Sequence, residues 1–366
     1  MKILKVLLWI ELLVFWSATL YAEDKTVTLS STEIKKLLGL NVYLQGGYTY
    51  NFRNPDSQEN DLRVFDHKTN SFTFDLAQLI FTKEPVSLGG IGFKLKVSVG
   101  EIAKKIHSRG LGEENDEFDL TEAYLSYIAP LGKGLRFDFG KFVTYLGAEV
   151  IEAKDNFNYS RSFLFNYAIP FTHTGLKISY PFSESLNTSL YFVNGWDNTN
   201  DNNKGKTVGL SIGYILGEEL ILTFNCIYGP EQDDNTSNQR FLFDWIGIIK
   251  PVKNLSFILN ADYGTEEKAD LNKGDAQWYG ISGIIKYDFN KFFSLSLRAE
   301  YFKDCDGVRT GLAQSLKEIT LTPEFKIVDS LILRTEYRYD WSNKKPFNSG
   351  NKKTQNTFAF GVMYTW

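Results

Sequence analysis

The chain has 366 residues, a formal net charge of −4 and 15% aromatic residues, among them 29 Phe and 20 Tyr. The absence of a basic surplus argues against nucleic acid as a partner. The mean hydropathy of −0.24 argues against a bundle of membrane helices, but it is compatible with a β-barrel, which shows a membrane only every second side chain. Two distant cysteines indicate neither a disulfide framework nor a metal cluster.

The N-terminus has the pattern of a secretory signal. Lys2 and Lys5 precede an apolar run over residues 6–15, and a small residue, Ala22, suits cleavage. The sequence therefore predicts a signal peptide over 1–22, a periplasmic lead-in over 23–39 and a barrel over 40–366. An uncleaved membrane anchor is the alternative, although the apolar run is short for one.

The rest of the chain repeats one pattern, in which apolar and polar residues alternate as they do in strands with one buried or lipid-facing side. This pattern predicts about sixteen strands, an even number as bacterial barrels require. The alternating segments are 40–52, 72–76, 91–99, 123–127, 135–139, 176–180, 186–192, 208–214, 220–228, 241–245, 255–263, 279–287, 293–301, 319–325, 331–339 and 356–366.

The connections between these strands alternate between short turns and long polar loops. Residues 217–219 and 250–254 are examples of the turns, and residues 53–70 and 304–315 are examples of the loops. Outer-membrane barrels have short periplasmic turns and longer extracellular loops. We therefore predict an all-β, antiparallel, up-and-down transmembrane barrel in the bacterial outer membrane. A secreted β-sandwich is the alternative fold, although its loops vary without such order.

The connection after the fifth strand, Tyr145–Phe171, is too long and too aromatic for a solvated loop. Folding into the barrel would bury its aromatic residues, so we predict a constriction loop. Packing on the outer mouth is the alternative. The predicted pore constriction consists of the charged residues Glu149, Glu152, Lys154, Asp155 and Arg161.

The inward faces of the predicted strands carry charges of both signs, which need water or partners inside a membrane. A water-filled lumen would supply both, and mixed charge across it would orient solutes. A ladder of salt bridges that stiffens the wall is the structural alternative. The predicted pore-lumen residues are Arg136, Asp138, Arg298, Glu300, Arg334, Glu336 and Arg338.

The last strand, Asn356–Trp366, is apolar on one side and ends on an aromatic residue. In this it resembles the sorting signal of bacterial outer-membrane barrels, which predicts the barrel-assembly machinery as a partner. Four stretches, Gly140–Phe182, Asn194–Asn203, Leu297–Gly311 and Thr320–Ser342, resemble the OmpL-like β-barrel porin family. The resemblance extends over essentially the whole mature chain and implies an outer-membrane barrel that acts as a passive channel.

The predicted function is passive diffusion of small hydrophilic solutes or ions, with outer-membrane lipid around the barrel and with no cofactor, metal or enzyme activity. A homo-oligomer is compatible with this prediction. A substrate-selective transporter and a barrel-embedded enzyme are the alternatives. An enzyme finds little support, because His67, His107 and His173 have no serine motif in a suitable context.

Overall fold

A computed structural model of the chain describes residues 39–113, 116–270, 272 and 274–366. The predicted signal peptide and all but the last residue of the predicted lead-in lie outside this range. The strands of the described residues are β1 Leu40–Asn51, β2 Ser71–Lys83, β3 Ile91–Val99, β4 Phe118–Ala129, β5 Leu135–Val143, β6 Thr172–Pro181, β7 Leu186–Val193, β8 Thr207–Leu216, β9 Leu220–Pro230, β10 Gln239–Val252, β11 Leu255–Glu266, β12 Ala276–Asp288, β13 Phe293–Asp304, β14 Gln314–Val328, β15 Leu331–Ser342 and β16 Thr354–Thr365.

Helical structure in the described residues is short and lies in the connections. It consists of the helices α1 Glu101–Lys105 and α2 Phe347–Gly350, a 3₁₀ turn at Ala153–Asp155 and a π-helical turn at Leu164–Ala168. None of the helices in this part of the chain is long and apolar enough to cross a membrane.

The described strands form one closed antiparallel sheet. Each pairs with its neighbours in the sequence, and β1 pairs with β16, where Gly47 lies opposite Gly361. Closure leaves no strand edge with unpaired backbone groups, which hydrocarbon would not tolerate. The predicted antiparallel up-and-down barrel of about sixteen strands is confirmed.

The two sides of each strand differ as the alternation predicts. On β16, Phe358 and Phe360 are 44% and 39% exposed on the outer wall, whereas Thr357 and Ala359 face inward and are buried. The outer wall is therefore apolar, and polar side chains face the lumen.

Short turns lie at the end of the barrel where β1 begins and β16 ends. The main chains of Val42 and Trp366 are hydrogen-bonded to each other at this end. The short turns include residues 130–134, 182–185, 253–254, 289–292 and 329–330, and the long loops at the other end include 52–70, 194–206 and 343–353. By the rule for bacterial barrels, the end with the short turns is periplasmic.

We expect the double substitution Phe358→Asp and Phe360→Asp to prevent assembly into the membrane, because each carboxylate on the lipid-facing wall costs on the order of 1–3 kcal/mol. The measurement is the amount of heat-modifiable, folded protein in the outer membrane. The control, Phe358→Leu with Phe360→Leu, keeps the wall apolar and should assemble. Normal levels of folded acidic variant would contradict this expectation.

Candidate functional site: the luminal segment

Tyr145–Phe171, here called the luminal segment, connects β5 to β6 and lies inside the barrel. Its backbone is bound by carboxylates that face inward from the wall. Glu336 on β15 accepts hydrogen bonds from the amides of Tyr159 and Ser160, at 2.7 and 3.0 Å. Glu300 on β13 accepts from two further amides, those of Phe163 at 2.7 Å and Leu164 at 2.6 Å. The predicted inward folding of this segment is therefore confirmed.

Arginines of the wall bind the carbonyl groups of the same segment. Arg334 donates to the carbonyl oxygens of Ala153 at 2.5 Å and Asn156 at 2.6 Å. Arg298 donates to the carbonyl of Ser160 at 2.7 Å, and Arg338 donates to that of Arg161 at 2.6 Å. These three wall arginines, which were predicted to line the lumen, are at most 1% exposed, so the segment covers them.

The two glutamates of the segment form ion pairs with the wall. Glu149 accepts from Arg298 at 2.7 Å. Glu152 accepts from Lys96 at 2.9 Å and from Gln78 at 2.8 Å. Burial alone would raise the pKa of Glu152, but the Lys96 ammonium and these hydrogen bonds outweigh it and hold the pKa at about 2. Both glutamates therefore anchor the segment to the wall, and both are buried away from lumen water.

Arg161 lies within the fold of the segment and is fully buried. Its guanidinium donates to the carbonyls of Val150 at 3.0 Å, Ile151 and Tyr159, and it stacks on Phe65 at 4.8 Å from the ring centre. Burial lowers the pKa of Arg161 from its usual value. The Arg161 side chain therefore joins the start of the turn, at Val150 and Ile151, to its end at Tyr159.

Lys154 and Asp155 are the most exposed of the five predicted constriction residues. They form an ion pair at 2.6 Å, and their side chains are 25% and 52% exposed. Lys154 also lies 5.7 Å above the ring of Tyr43 on β1. Of the five predicted constriction residues, these two are therefore the ones in contact with water.

Glycines on the inward faces of the strands make room for the segment, a signal that the sequence analysis missed. A Cβ atom at Gly361 or Gly47 would collide with the ring or hydroxyl of Tyr159, and one at Gly209 would collide with the hydroxyl of Tyr145. The hydroxyl of Tyr159 also donates to Asp75 at 2.5 Å. Glycine at an inward strand position, where polar residues are usual, is the pattern that could have indicated a docking surface.

Extracellular loops cover the segment from the outer side. Phe65, in the loop between β1 and β2, packs against Phe165 and Phe171 with ring centres 5.5 Å apart in each case. Trp196, in the loop between β7 and β8, packs edge-to-face on Trp278 at 6.2 Å. Most of the larger of the two buried apolar clusters in the described residues therefore lies inside the barrel towards its extracellular end.

The opposite side of the lumen is lined by small hydroxyl groups. Ser179, Ser189, Ser211 and Thr223, on β6 to β9, are each partly exposed. On neighbouring β5, Arg136 contacts Glu84 at 3.0 Å and Asp138 at 2.8 Å, and its side chain is 30% exposed. These side chains therefore remain open to water, although Tyr145 of the segment reaches the same strands and stacks on Tyr191 of β7 with ring centres 3.7 Å apart.

The described residues contain no candidate metal-ion site. No group of three or more His, Cys, Asp or Glu side chains in this part of the chain is arranged to hold a metal ion. The ion pairs of Glu149 with Arg298 and of Glu152 with Lys96 link the segment to the wall.

A closed barrel with an apolar outer wall, a polar lumen and an inserted segment after the fifth strand defines an outer-membrane barrel of the porin class. The family described as "Putative beta-barrel porin-2, OmpL-like" matches residues 38–366. The chain belongs to this family, and it is a passive channel protein of the bacterial outer membrane. No curated protein sequence matches the chain significantly.

Solved structures share the fold at low sequence identity. OmpF of Salmonella typhi, in complex with daunomycin, matches with a TM-score of 0.62 and 12% identity, over 89% of this chain and 97% of that chain. An anion-selective porin from Comamonas acidovorans matches with 0.61 and 10%, over 89% and 98%. OmpT of Vibrio cholerae, in its trimer form, matches with 0.59 and 14%, over 89% and 98%.

We expect Gly361→Ala to destabilise the docked segment by about 1–3 kcal/mol, because the added methyl group overlaps the ring of Tyr159. The measurement is the temperature at which the folded, fast-migrating band disappears in a heat-modifiability series. Gly283→Ala is the matched control, since its added methyl group would meet only Leu259, at 3.6 Å. Equal transition temperatures for the two variants would show that the close packing of Tyr159 on Gly361 does not contribute to the stability of the folded protein.

Proposed function

We propose that small hydrophilic solutes or ions diffuse through the lumen between the luminal segment and the hydroxyl-lined wall of β6 to β9. The observation that carries this proposal is the division of the lumen. Arg298, Arg334 and Arg338 are buried under the segment, whereas the hydroxyl groups on the opposite side are partly exposed. Solutes can exchange hydration water for hydroxyl groups at little cost, so such a wall suits passage without tight binding.

In this proposal the predicted constriction residues act in two ways. Glu149, Glu152 and Arg161 fix the shape of the segment through buried contacts, and so they set the width of the passage. Lys154 and Asp155 contact lumen water and act on passing ions directly. A charge acts on an ion more strongly when it is close and poorly screened, so the second pair determines selectivity.

The filled extracellular half of the lumen favours a second candidate, a selective channel with a narrow entrance. Phe65, Phe165, Phe171 and Trp196 bury apolar surface where a wide general pore would hold water. Measurements of passage for solutes of increasing size would separate the two candidates, because only a selective channel would discriminate among solutes smaller than its opening.

The partners of the barrel are also part of the proposal. We propose that the last strand, β16, is recognised by the barrel-assembly machinery and that no chemical reaction is catalysed. We further propose a homo-oligomer, supported by the trimer form of the OmpT structure with a similar fold. Light scattering of the detergent-solubilised protein would test the oligomer, and a mass equal to one chain would contradict it.

Replacing residues 150–160 with a short Gly-Ser linker should raise single-channel conductance in a planar bilayer, because the narrowest section dominates the resistance. The control shortens residues 232–237, an extracellular loop outside the segment, and should leave conductance close to that of the unaltered protein. If the unaltered, folded protein gives no conductance in potassium chloride, the proposed function is wrong. If the linker variant conducts like the unaltered protein, the segment does not form the constriction.

Lys154→Gln should shift the reversal potential in a salt gradient towards cation selectivity, and Asp155→Asn should shift it towards anion selectivity. The reason is that each substitution removes one charge that faces lumen water. Lys345→Gln, on an exposed extracellular loop, is the control and removes a charge far from the constriction. Unchanged selectivity in both segment variants would place the determining charges elsewhere, with Arg136 and Asp138 as the next candidates.

A further inference from the structure

A cavity of about 630 Å³ lies between the luminal segment and the periplasmic turns. One side is formed by the segment, from Lys154 to Phe157, and the other by the turns at residues 253–254 and 290–292. Strands β12 to β15 supply the wall between them. Pockets that hold small molecules have volumes of about 300–1,000 Å³, so this cavity has the size of a binding site as well as of a vestibule.

The cavity has an excess of positive charge. The basic residues in its lining are Lys154, Lys253, Lys286, Lys291, Lys326 and Arg334, and the acidic ones are Asp155, Asp288 and Glu324. Positive walls around a recess of low dielectric constant concentrate anions there.

The acidic groups in the lining are already occupied. Glu324 accepts from Lys286 at 3.0 Å and from Arg334 at 2.5 Å. Asp155 is paired with Lys154 at 2.6 Å, and Asp288 lies 3.7 Å from Lys286. Each acidic group of the lining is therefore paired with a basic group of the lining, and the remaining basic groups give the cavity its positive excess.

Two lysines in the lining are not paired with a carboxylate of the described residues. Lys253 on the turn between β10 and β11 and Lys291 on the turn between β12 and β13 are exposed, and neither forms an ion pair or a side-chain hydrogen bond with the described residues. An ammonium group without a protein partner is free to pair with an anion that enters the cavity.

The lining also offers an apolar surface beside these charges. The ring of Phe157 is partly exposed and lies under the Lys286 ammonium, which is 5.2 Å from the ring centre. Ile332 and Phe292 add further apolar surface. An apolar body placed on this surface would leave water while its charged end pairs with a lysine.

We propose that this periplasmic cavity binds small organic anions with an apolar body, of which aromatic carboxylates are the simplest class. The inference deepens the proposed function, because it places a solute-binding site on the periplasmic side of the same passage. Lys253 and Lys291 bind the carboxylate, and Phe157 contacts the ring. The site therefore favours such anions over inorganic ions and over neutral solutes of equal size.

The test measures binding and passage separately, with benzoate as the probe. Isothermal titration calorimetry on the detergent-solubilised, full-length protein measures the affinity, and planar-bilayer recording measures block of the potassium chloride current. We expect benzoate to bind more tightly than acetate or benzyl alcohol and to block more strongly from the periplasmic side. Lys253→Gln with Lys291→Gln should weaken benzoate binding by roughly 5-fold to 25-fold, since one charge lost at contact distance in water changes affinity about fivefold and two such losses multiply.

Two control variants sharpen the result. Lys83→Gln with Lys133→Gln removes two exposed charges from the same end of the barrel but outside the cavity, and benzoate affinity should stay unchanged. Phe157→Ala should weaken binding of benzoate but leave that of acetate unchanged. Equal benzoate affinity in the two double variants, or no calorimetric binding to folded protein, would overturn this inference. A protein that binds benzoate but conducts no current would overturn the proposed function while leaving the binding site standing.

Discussion

The rest of the structure depends on hydrogen bonds between two sets of polar groups inside the barrel, each of which would otherwise be buried without partners. The luminal segment has backbone amides and carbonyls that pair with no strand, and the wall has buried arginines and glutamates. Glu336 and Glu300 bind the amides, and Arg334 and Arg298 bind the carbonyls. Either set alone would leave buried polar groups without partners, which costs about 1–3 kcal/mol for each group and more for a charge.

This exchange ties the segment to defined points of the wall. Arg298 contacts Glu318 on the neighbouring strand at 2.6 Å as well as Glu149 on the segment at 2.7 Å, so the same guanidinium stabilises both wall and segment. Removing one partner of such a buried pair typically costs about 3–5 kcal/mol, because the other charge is left uncompensated. Tyr159, seated against Gly47 and Gly361, adds a shape constraint that charge pairing alone would not give.

The same contacts divide the lumen into functional parts. The strongly charged inward faces of β13 to β15 are paired within the wall and covered by the segment, which leaves the hydroxyl groups of β6 to β9 and the pair Lys154 and Asp155 in contact with water. Towards the periplasm, the turns contribute lysines that the wall does not neutralise. The inward charges of β13 to β15 are thus structural, and the more exposed charges Lys154 and Asp155 face the solute.

The sequence by itself determined the barrel, the strand number and the inward folding of Tyr145–Phe171, because period-two alternation and the burial of aromatic residues act locally along the chain. It also identified which side chains face inward. Only the tertiary structure decided which of those side chains meet water, because that depends on contacts between residues far apart in sequence. Arg298 on β13 and Arg136 on β5 both face inward, yet the segment covers Arg298 completely and leaves the side chain of Arg136 30% exposed. The periplasmic cavity has the same origin, since Lys154, Lys253 and Lys291 come together only when the barrel closes around the segment.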